Sequence, residues 1–201
     1  MLYLASQSPR RAELLTRLGV DYAVLPVDVT ERRQPGEAAR GYVRRVAWEK
    51  AEAGLQQVRH FPGAVVVLGA DTEVLVDDET LGKPADADDA MAMLRRLSGR
   101  THQVISAVSL VSIERCAGTV SVSTVTFADL HERDIAAYVA SGECMGKAGA
   151  YAIQGAAEAF VSRLEGSYSG VVGLPLHDTA RLLALFALGP LHHGEGKGDD
   201  R

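Results

Sequence analysis

Two arginines follow a pair of serines in Ala5-Ser6-Gln7-Ser8-Pro9-Arg10-Arg11-Ala12. Pro9 marks the first turn of a helix with Ser8 as its N-cap, and Leu14, Leu15 and Leu18 supply its apolar stripe. Positive charge in a first turn opposes the helix dipole, where Asp or Glu would serve stability better. Helix amides, two hydroxyls and two guanidiniums together suit a phosphate group. A solvated arginine pair on an ordinary helix is the competing reading at this point. The second chemical residue is Asp71, which follows the apolar run Ala64-Val65-Val66-Val67-Leu68-Gly69-Ala70. A carboxylate at the carboxyl end of a buried strand can hold Mg²⁺ or take a proton; an Asx-turn or a cap is the alternative. Lys83, in Gly82-Lys83-Pro84, carries little weight alone.

Several other chemistries fail on spacing. Gly142-Glu143-Cys144-Met145-Gly146-Lys147-Ala148 is one residue short between its glycines for a P-loop, and Ala148 stands where Ser or Thr would hold Mg²⁺. No G-x-G-x-x-G fingerprint is present. Ser167, His177 and Asp178 lack a nucleophile elbow. The histidines, His102 and His131 among them, have no metal spacing and read as structural or exposed.

The elements that must carry these residues alternate between strand and helix, which predicts an α/β fold in one domain over residues 1–190. The expected helices cover 9–18, 37–54, 86–97, 132–140 and 174–188. The apolar run Ala64–Gly69 is expected as a buried central strand, interrupted at Gly69–Thr72 and resumed at Glu73–Val76. A hairpin is expected over 103–127 with its turn at Ala117-Gly118, and a short strand over 160–164. Residues 191–201 read as a polar, disordered tail. The 201 residues are 47% hydrophobic and 23% charged, with net charge −5, which predicts a packed core and argues against an extended nucleic-acid partner. Two cysteines, Cys116 and Cys144, in no metal or redox spacing, read as reduced thiols of a cytoplasmic protein. No leader and no run of transmembrane length is apparent.

The sequence Leu4-Ala5-Ser6-Gln7-Ser8-Pro9-Arg10-Arg11-Ala12-Glu13-Leu14-Leu15 resembles the opening motif of the Maf family of nucleoside triphosphate pyrophosphatases, also described as septum formation inhibitors. The likeness continues through Gly69-Ala70-Asp71-Thr72, Leu81-Gly82-Lys83-Pro84, Thr101-His102-Gln103-Val104, Lys147-Ala148-Gly149-Ala150-Tyr151-Ala152-Ile153-Gln154-Gly155 and Val171-Val172-Gly173-Leu174-Pro175, in family order. It implies a mixed, elongated and curved sheet flanked by helices, two lobes with a central cleft as in inosine triphosphatases, a homodimer, and a divalent cation, Mg²⁺ or Mn²⁺. The implied reaction is NTP + H₂O → NMP + diphosphate. By the same resemblance Ser8, Arg10 and Arg11 fall on the phosphate motif, Asp71 on the catalytic base, and Glu31, Lys50 and Lys83 on polar positions of the cleft. Asp71 and Glu31 are the candidate metal ligands. Thr72 and Gln154 match the branch acting on dTTP and UTP rather than the one acting on 7-methylguanosine triphosphate. A glutamine amide, with one donor and one acceptor, can meet O4 and N3–H of thymine or uracil. A purine-directed pyrophosphatase and a non-enzymatic regulator of cell division are the alternatives. Ser169-Gly170 and Glu143-Cys144-Met145-Gly146 depart from the family pattern.

Overall fold

The computed structural model describes residues 1–189; the expected tail, residues 191–201, lies outside them. Strands β1 (Leu2–Ala5), β2 (Tyr22–Val24), β3 (Val66–Val76), β4 (Glu79–Leu81), β5 (Thr101–Val111), β6 (Cys116–Phe127) and β7 (Val161–Glu165) form one mixed sheet. Its order is β2-β1-β3-β5-β6-β7, with β4 paired to β3. β1 runs parallel to β2 and β3, while β5, β6 and β7 follow antiparallel.

Helices α1 (Pro9–Arg17), α2 (Ala39–Val58), α3 (Ala87–Leu97), α4 (Glu132–Ala140), α5 (Tyr168–Val172) and α6 (Leu176–Leu185) cover the sheet, with 3₁₀ turns at Ala148–Ala150 and Ala156–Phe160. Alternation along β3 and β5 splits the core. Leu68, Ala70, Val74, Val108 and Leu110 pack with Leu14, Leu15, Leu94 and Leu97 on one face. On the other, Val67 packs with Ala51 and Leu55 of α2, and Ile105 and Ala107 with Val43, Val46 and Ala47.

Four expectations change. β3 is continuous from Val66 to Val76, paired with β5 from Val67 to Leu75, so Asp71 is mid-strand rather than at a strand end. Gly69 does not break the strand. It admits α2, because a Cβ there would lie 2.2 Å from the Ala47 carbonyl oxygen and 2.6 Å from the Ala51 nitrogen. The hairpin turns at Ser112–Arg115, where the Ser112 hydroxyl accepts from the amides of Glu114 and Arg115, and Ala117-Gly118 lies inside β6. Gly118 answers a close approach instead, with a Cβ there 3.0 Å from the Val108 carbonyl. Ser8 occupies the N-cap of α1 in an extended conformation, yet its side chain makes no capping bond; its amide instead donates to Ser6 Oγ at 3.2 Å. Asp86 does cap α3, accepting from the Asp89 amide. The expected last helix is α6, shorter than 174–188, and the short helix α5 occupies the stretch before Gly173 (φ 127°), for which no helix is expected.

One feature of the sheet creates the site. β5 takes one edge of β3, so β1 and β4 share the other. β1 pairs only through Gly69 and β4 only from Val74, leaving the edge from Ala70 to Glu73 without a strand partner. The sheet has a window there, flanked by the carboxyl end of β1.

Candidate active site

A cleft of about 660 Å³ opens at this window, within the range typical of small-molecule sites. All nine residues singled out in the sequence line it: Ser8, Arg10, Arg11, Glu31, Lys50, Asp71, Thr72, Lys83 and Gln154. They come from β1–α1, the 27–31 loop, α2, β3, the loop after β4 and the glycine-rich loop.

On the α2 side, the close contact at Gly69 seats Lys50 over Asp71. Lys50 Nζ donates to Asp71 Oδ1 at 2.8 Å and contacts Glu31 Oε1 at 2.6 Å, and Lys83 Nζ donates to Glu31 Oε2 at 2.9 Å. Lys50 and Asp71 are buried, whereas Lys83 is exposed. Burial alone would raise the Glu31 carboxyl, but hydrogen bonds and charge from Lys50 and Lys83 outweigh it and hold the group at about 2. Glu31 is therefore anionic at neutral pH.

Glu73 joins this side. Residues two apart on a strand share a face, so Glu73 stands beside Asp71. Burial, then the charges of Asp71 and Glu31, push its carboxyl up to about 8. Asp71 Oδ2 and Glu73 Oε2 are buried without a hydrogen-bond partner. Orphaned carboxylate oxygens of this kind are hard donors, fitting a cation such as Mg²⁺ that takes one or two carboxylates and completes its shell with water and phosphate. Among the described residues no group of three His, Cys, Asp or Glu stands preformed as a metal cage.

On the α1 side the charges are cationic. Arg11 Nε donates to the Gly173 carbonyl at 3.0 Å, Nη2 to Thr72 Oγ1 at 3.2 Å and Nη1 to Ser6 Oγ at 3.4 Å. Arg10 and Lys147 line the same wall. Burial lowers the pKa of all three, with Arg10 adding to the effect at Lys147 and Asp71 and Glu31 opposing it at Arg11. Among the described residues none of the three forms an ion pair with a carboxylate, although most other cation clusters of the chain do. A wall of half-buried cations without ion-pair partners is a binding surface for an anion with several charges.

Gln154 lies half-buried in the cleft, and its side-chain amide makes no hydrogen bond to the described residues. The loop carrying it is fixed from behind. Tyr151 Oη pairs with His102 Nε2 at 2.9 Å, and both rings stack edge-on with Phe127. Glu143, in one of the two departures from the family pattern, accepts from Tyr138 Oη and from the Ala156 amide. Ser169, in the other, accepts from the Leu176 amide. Ser167 accepts from the Gly170 amide as the cap of α5.

Glu73 and Lys147 were missed in the sequence. The period-two relation to Asp71 could have found the first. The second was visible only as part of a failed P-loop pattern.

The family model described as Maf-like protein matches residues 1–186. A protein named dTTP/UTP pyrophosphatase from Xanthomonas euvesicatoria is 58% identical over 187 residues, covering 92% of this chain and 98% of that one. One from Xylella fastidiosa, named nucleoside triphosphate pyrophosphatase, is also 58% identical with the same coverage. A solved structure from Mycobacterium abscessus titled nucleoside-triphosphatase / dITP/XTP pyrophosphatase overlaps 64% of this chain and 75% of that one, at 20% identity and a TM-score of 0.39, too slight a likeness to bear on the fold.

Proposed function

We infer the activity of this chain from its family and its cleft: it belongs to the Maf-like family, and it hydrolyses dTTP and UTP to the monophosphate and diphosphate. The observation that carries this reading is the division of one cleft into a carboxylate side around Asp71 and an unneutralised cationic side around Arg10, Arg11 and Lys147. A triphosphate needs both, since its three phosphate groups present several negative charges while its scission needs water held by a base. The names of relatives at 58% identity support the substrate class.

In this reading Asp71 accepts a proton from water as the water oxygen bonds to the α-phosphorus. The bond from that phosphorus to the bridging oxygen breaks, and diphosphate leaves with the electron pair. Arg10, Arg11 and Lys147 hold the β- and γ-phosphates and neutralise charge on the leaving group, with Ser8 beside them. Lys50 holds Asp71 in place through the 2.8 Å contact, and Glu31 and Lys83 complete the pair network. A divalent cation, Mg²⁺ or Mn²⁺, held by Asp71 with Glu31 or Glu73, would supply charge neutralisation at the reacting phosphate. Gln154 reads the pyrimidine O4 and N3–H, and Thr72 acts with Arg11 on substrate choice.

We further propose a homodimer working in the cytoplasm, where nucleoside triphosphates are used; among the described residues no helix is long and apolar enough to cross a membrane. Light scattering on the purified chain reads the dimer. The activity is tested by diphosphate release with Mg²⁺ across dTTP, UTP, CTP, purine triphosphates and 7-methyl-GTP. Turnover of dTTP and UTP above the others is expected. A preference for a purine or for 7-methyl-GTP overturns the substrate assignment, and binding without hydrolysis overturns the enzymatic one. Asp71→Asn, which preserves shape and can still accept from Lys50, is expected to lower kcat by about 10²- to 10⁴-fold; a kcat within threefold of the parent removes Asp71 as the base.

A further inference from the structure

We infer that Ser106, which does not itself line the cleft, is a positioning residue that holds Arg11 by fixing the direction of a row of hydroxyl hydrogen bonds. The inference rests on the reading of the cleft as a triphosphate site. Ser106 is 1% exposed on β5, directly opposite Thr72 of β3 in the strand register. Its Oγ lies 2.6 Å from the Gly170 carbonyl oxygen. A carbonyl only accepts, so the single Ser106 proton points there. Thr72 Oγ1 lies 2.7 Å from Ser106 Oγ. Because Ser106 has no second proton, Thr72 must donate in that contact. Thr72 Oγ1 is then left with lone pairs alone toward Arg11, and it accepts from Nη2 at 3.2 Å.

One backbone carbonyl at the far end therefore orients the whole row, from Arg11 N–H to Thr72, from Thr72 O–H to Ser106, and from Ser106 O–H to Gly170. With the Gly173 carbonyl on Nε and Ser6 Oγ near Nη1, the guanidinium is fixed by neutral oxygens only. Three of its five N–H groups are engaged, which leaves two for a ligand, and no carboxylate among the described residues forms an ion pair with it. Remove the Ser106 oxygen and the Thr72 proton loses its acceptor. The hydroxyl is then free to turn that proton toward Arg11, where two donors face each other and the aim of the guanidinium is lost. Ser106 and Thr72 thus form one unit with Arg11 across two strands and α1.

The test compares Ser106→Ala, Ser106→Cys and Ser106→Thr, with Ser106→Ala also placed in Thr72→Val and Arg11→Lys backgrounds. kcat and KM for dTTP are read from diphosphate release with Mg²⁺. Ser106→Ala is expected to raise KM about tenfold, Ser106→Cys by less because a thiol donates weakly, and Ser106→Thr to stay within about threefold of the parent. In the Thr72→Val and Arg11→Lys backgrounds, Ser106→Ala should change KM by less than about twofold, since the unit is already broken. Equal losses for Ser106→Ala and Ser106→Thr, or the same loss in all three backgrounds, would reduce Ser106 to a packing residue and overturn the inference. If Ser106→Ala does not fold, a Ser106→Cys KM equal to the parent's overturns it as well. A parent protein without dTTP turnover refutes the activity instead, and the same variants are then ranked by their affinity for inorganic diphosphate in calorimetry. No ranking there also overturns the inference.

Discussion

His102 ties the stability of the molecule to pH in a way that isolates one side chain. It is 2% exposed, its Nε2 pairs with Tyr151 Oη, and its Nδ1 is buried without a partner. Burial holds the imidazole down at about 4, against 6.5 for the free group. The native protein therefore keeps His102 neutral while an unfolded chain binds a proton below pH 6.5. The associated stability is fully present above that pH, declines as pH falls from 6.5 toward 4, and changes no further below 4. At roughly 1.4 kcal/mol per pKa unit, the whole decline is about 3 kcal/mol, of which about 2 kcal/mol has occurred by pH 5. His102→Phe retains an aromatic ring against Phe127 and Tyr151 and cannot titrate. It strands Tyr151 Oη, a cost of about 1–3 kcal/mol that does not vary over this range. Urea unfolding of parent and variant, followed by Trp48 fluorescence at pH 5, 6, 7 and 8, gives the difference in stability at each pH. That difference should shrink by about 2 kcal/mol between pH 8 and pH 5. Two curves that stay parallel within about 0.5 kcal/mol would show that His102 is not held neutral, and the reasoning from burial would fail.

Other outcomes follow from the same contacts. Lys50→Met leaves buried Asp71 without its cation and should destabilise the fold by about 3–5 kcal/mol at pH 7 in urea unfolding, whereas Lys83→Met, at an exposed amine, should change it by less than about 1 kcal/mol. Gly69→Ala forces a methyl to within 2.2 Å of the Ala47 carbonyl, so α2 must move; a loss of about 1–3 kcal/mol by thermal or urea unfolding is expected, together with lower activity, because Lys50 moves with α2. Lys147→Met removes one cation from the α1 wall and should raise the inhibition constant of diphosphate by about ten- to a hundredfold, measured as product inhibition, with a smaller change for the monophosphate.

The two halves of the site were unequally legible in the chain. Arg10 and Arg11 stood out because they violate the charge preference of a helix start, and a local violation is visible in a linear sequence. Asp71 stood out for a reason that the fold revises. Its strand does not stop at Gly69; the neighbouring β1 does, and which strand ends beside another is a matter of register, not of composition. Glycine was the recurrent source of error. Gly69 and Gly118 resemble punctuation, yet both mark places where another backbone comes close. The Thr72–Ser106 pair could not be read at all, since two residues 34 positions apart become partners only through the pairing of β3 with β5. Glu73 was within reach, because alternation puts it on the face of Asp71 whatever the sheet order.

The window at Ala70–Glu73 has a consequence for how the site can change. Asp71 and Glu73 point to one side of β3 and Thr72 to the other, so the ribbon itself separates the carboxylate network from the arginine row. The Lys50 network and the Arg11 row share no side chain, only the backbone of three consecutive residues. The two sides are still linked through space, because the charges of Asp71 and Glu31 act on Arg11, so the effects of charge-changing substitutions on opposite sides should not simply sum. In the proposed reaction one ribbon thereby serves both the proton-accepting carboxylate and the phosphate-holding arginine, while Gln154 stands apart from both on its own loop.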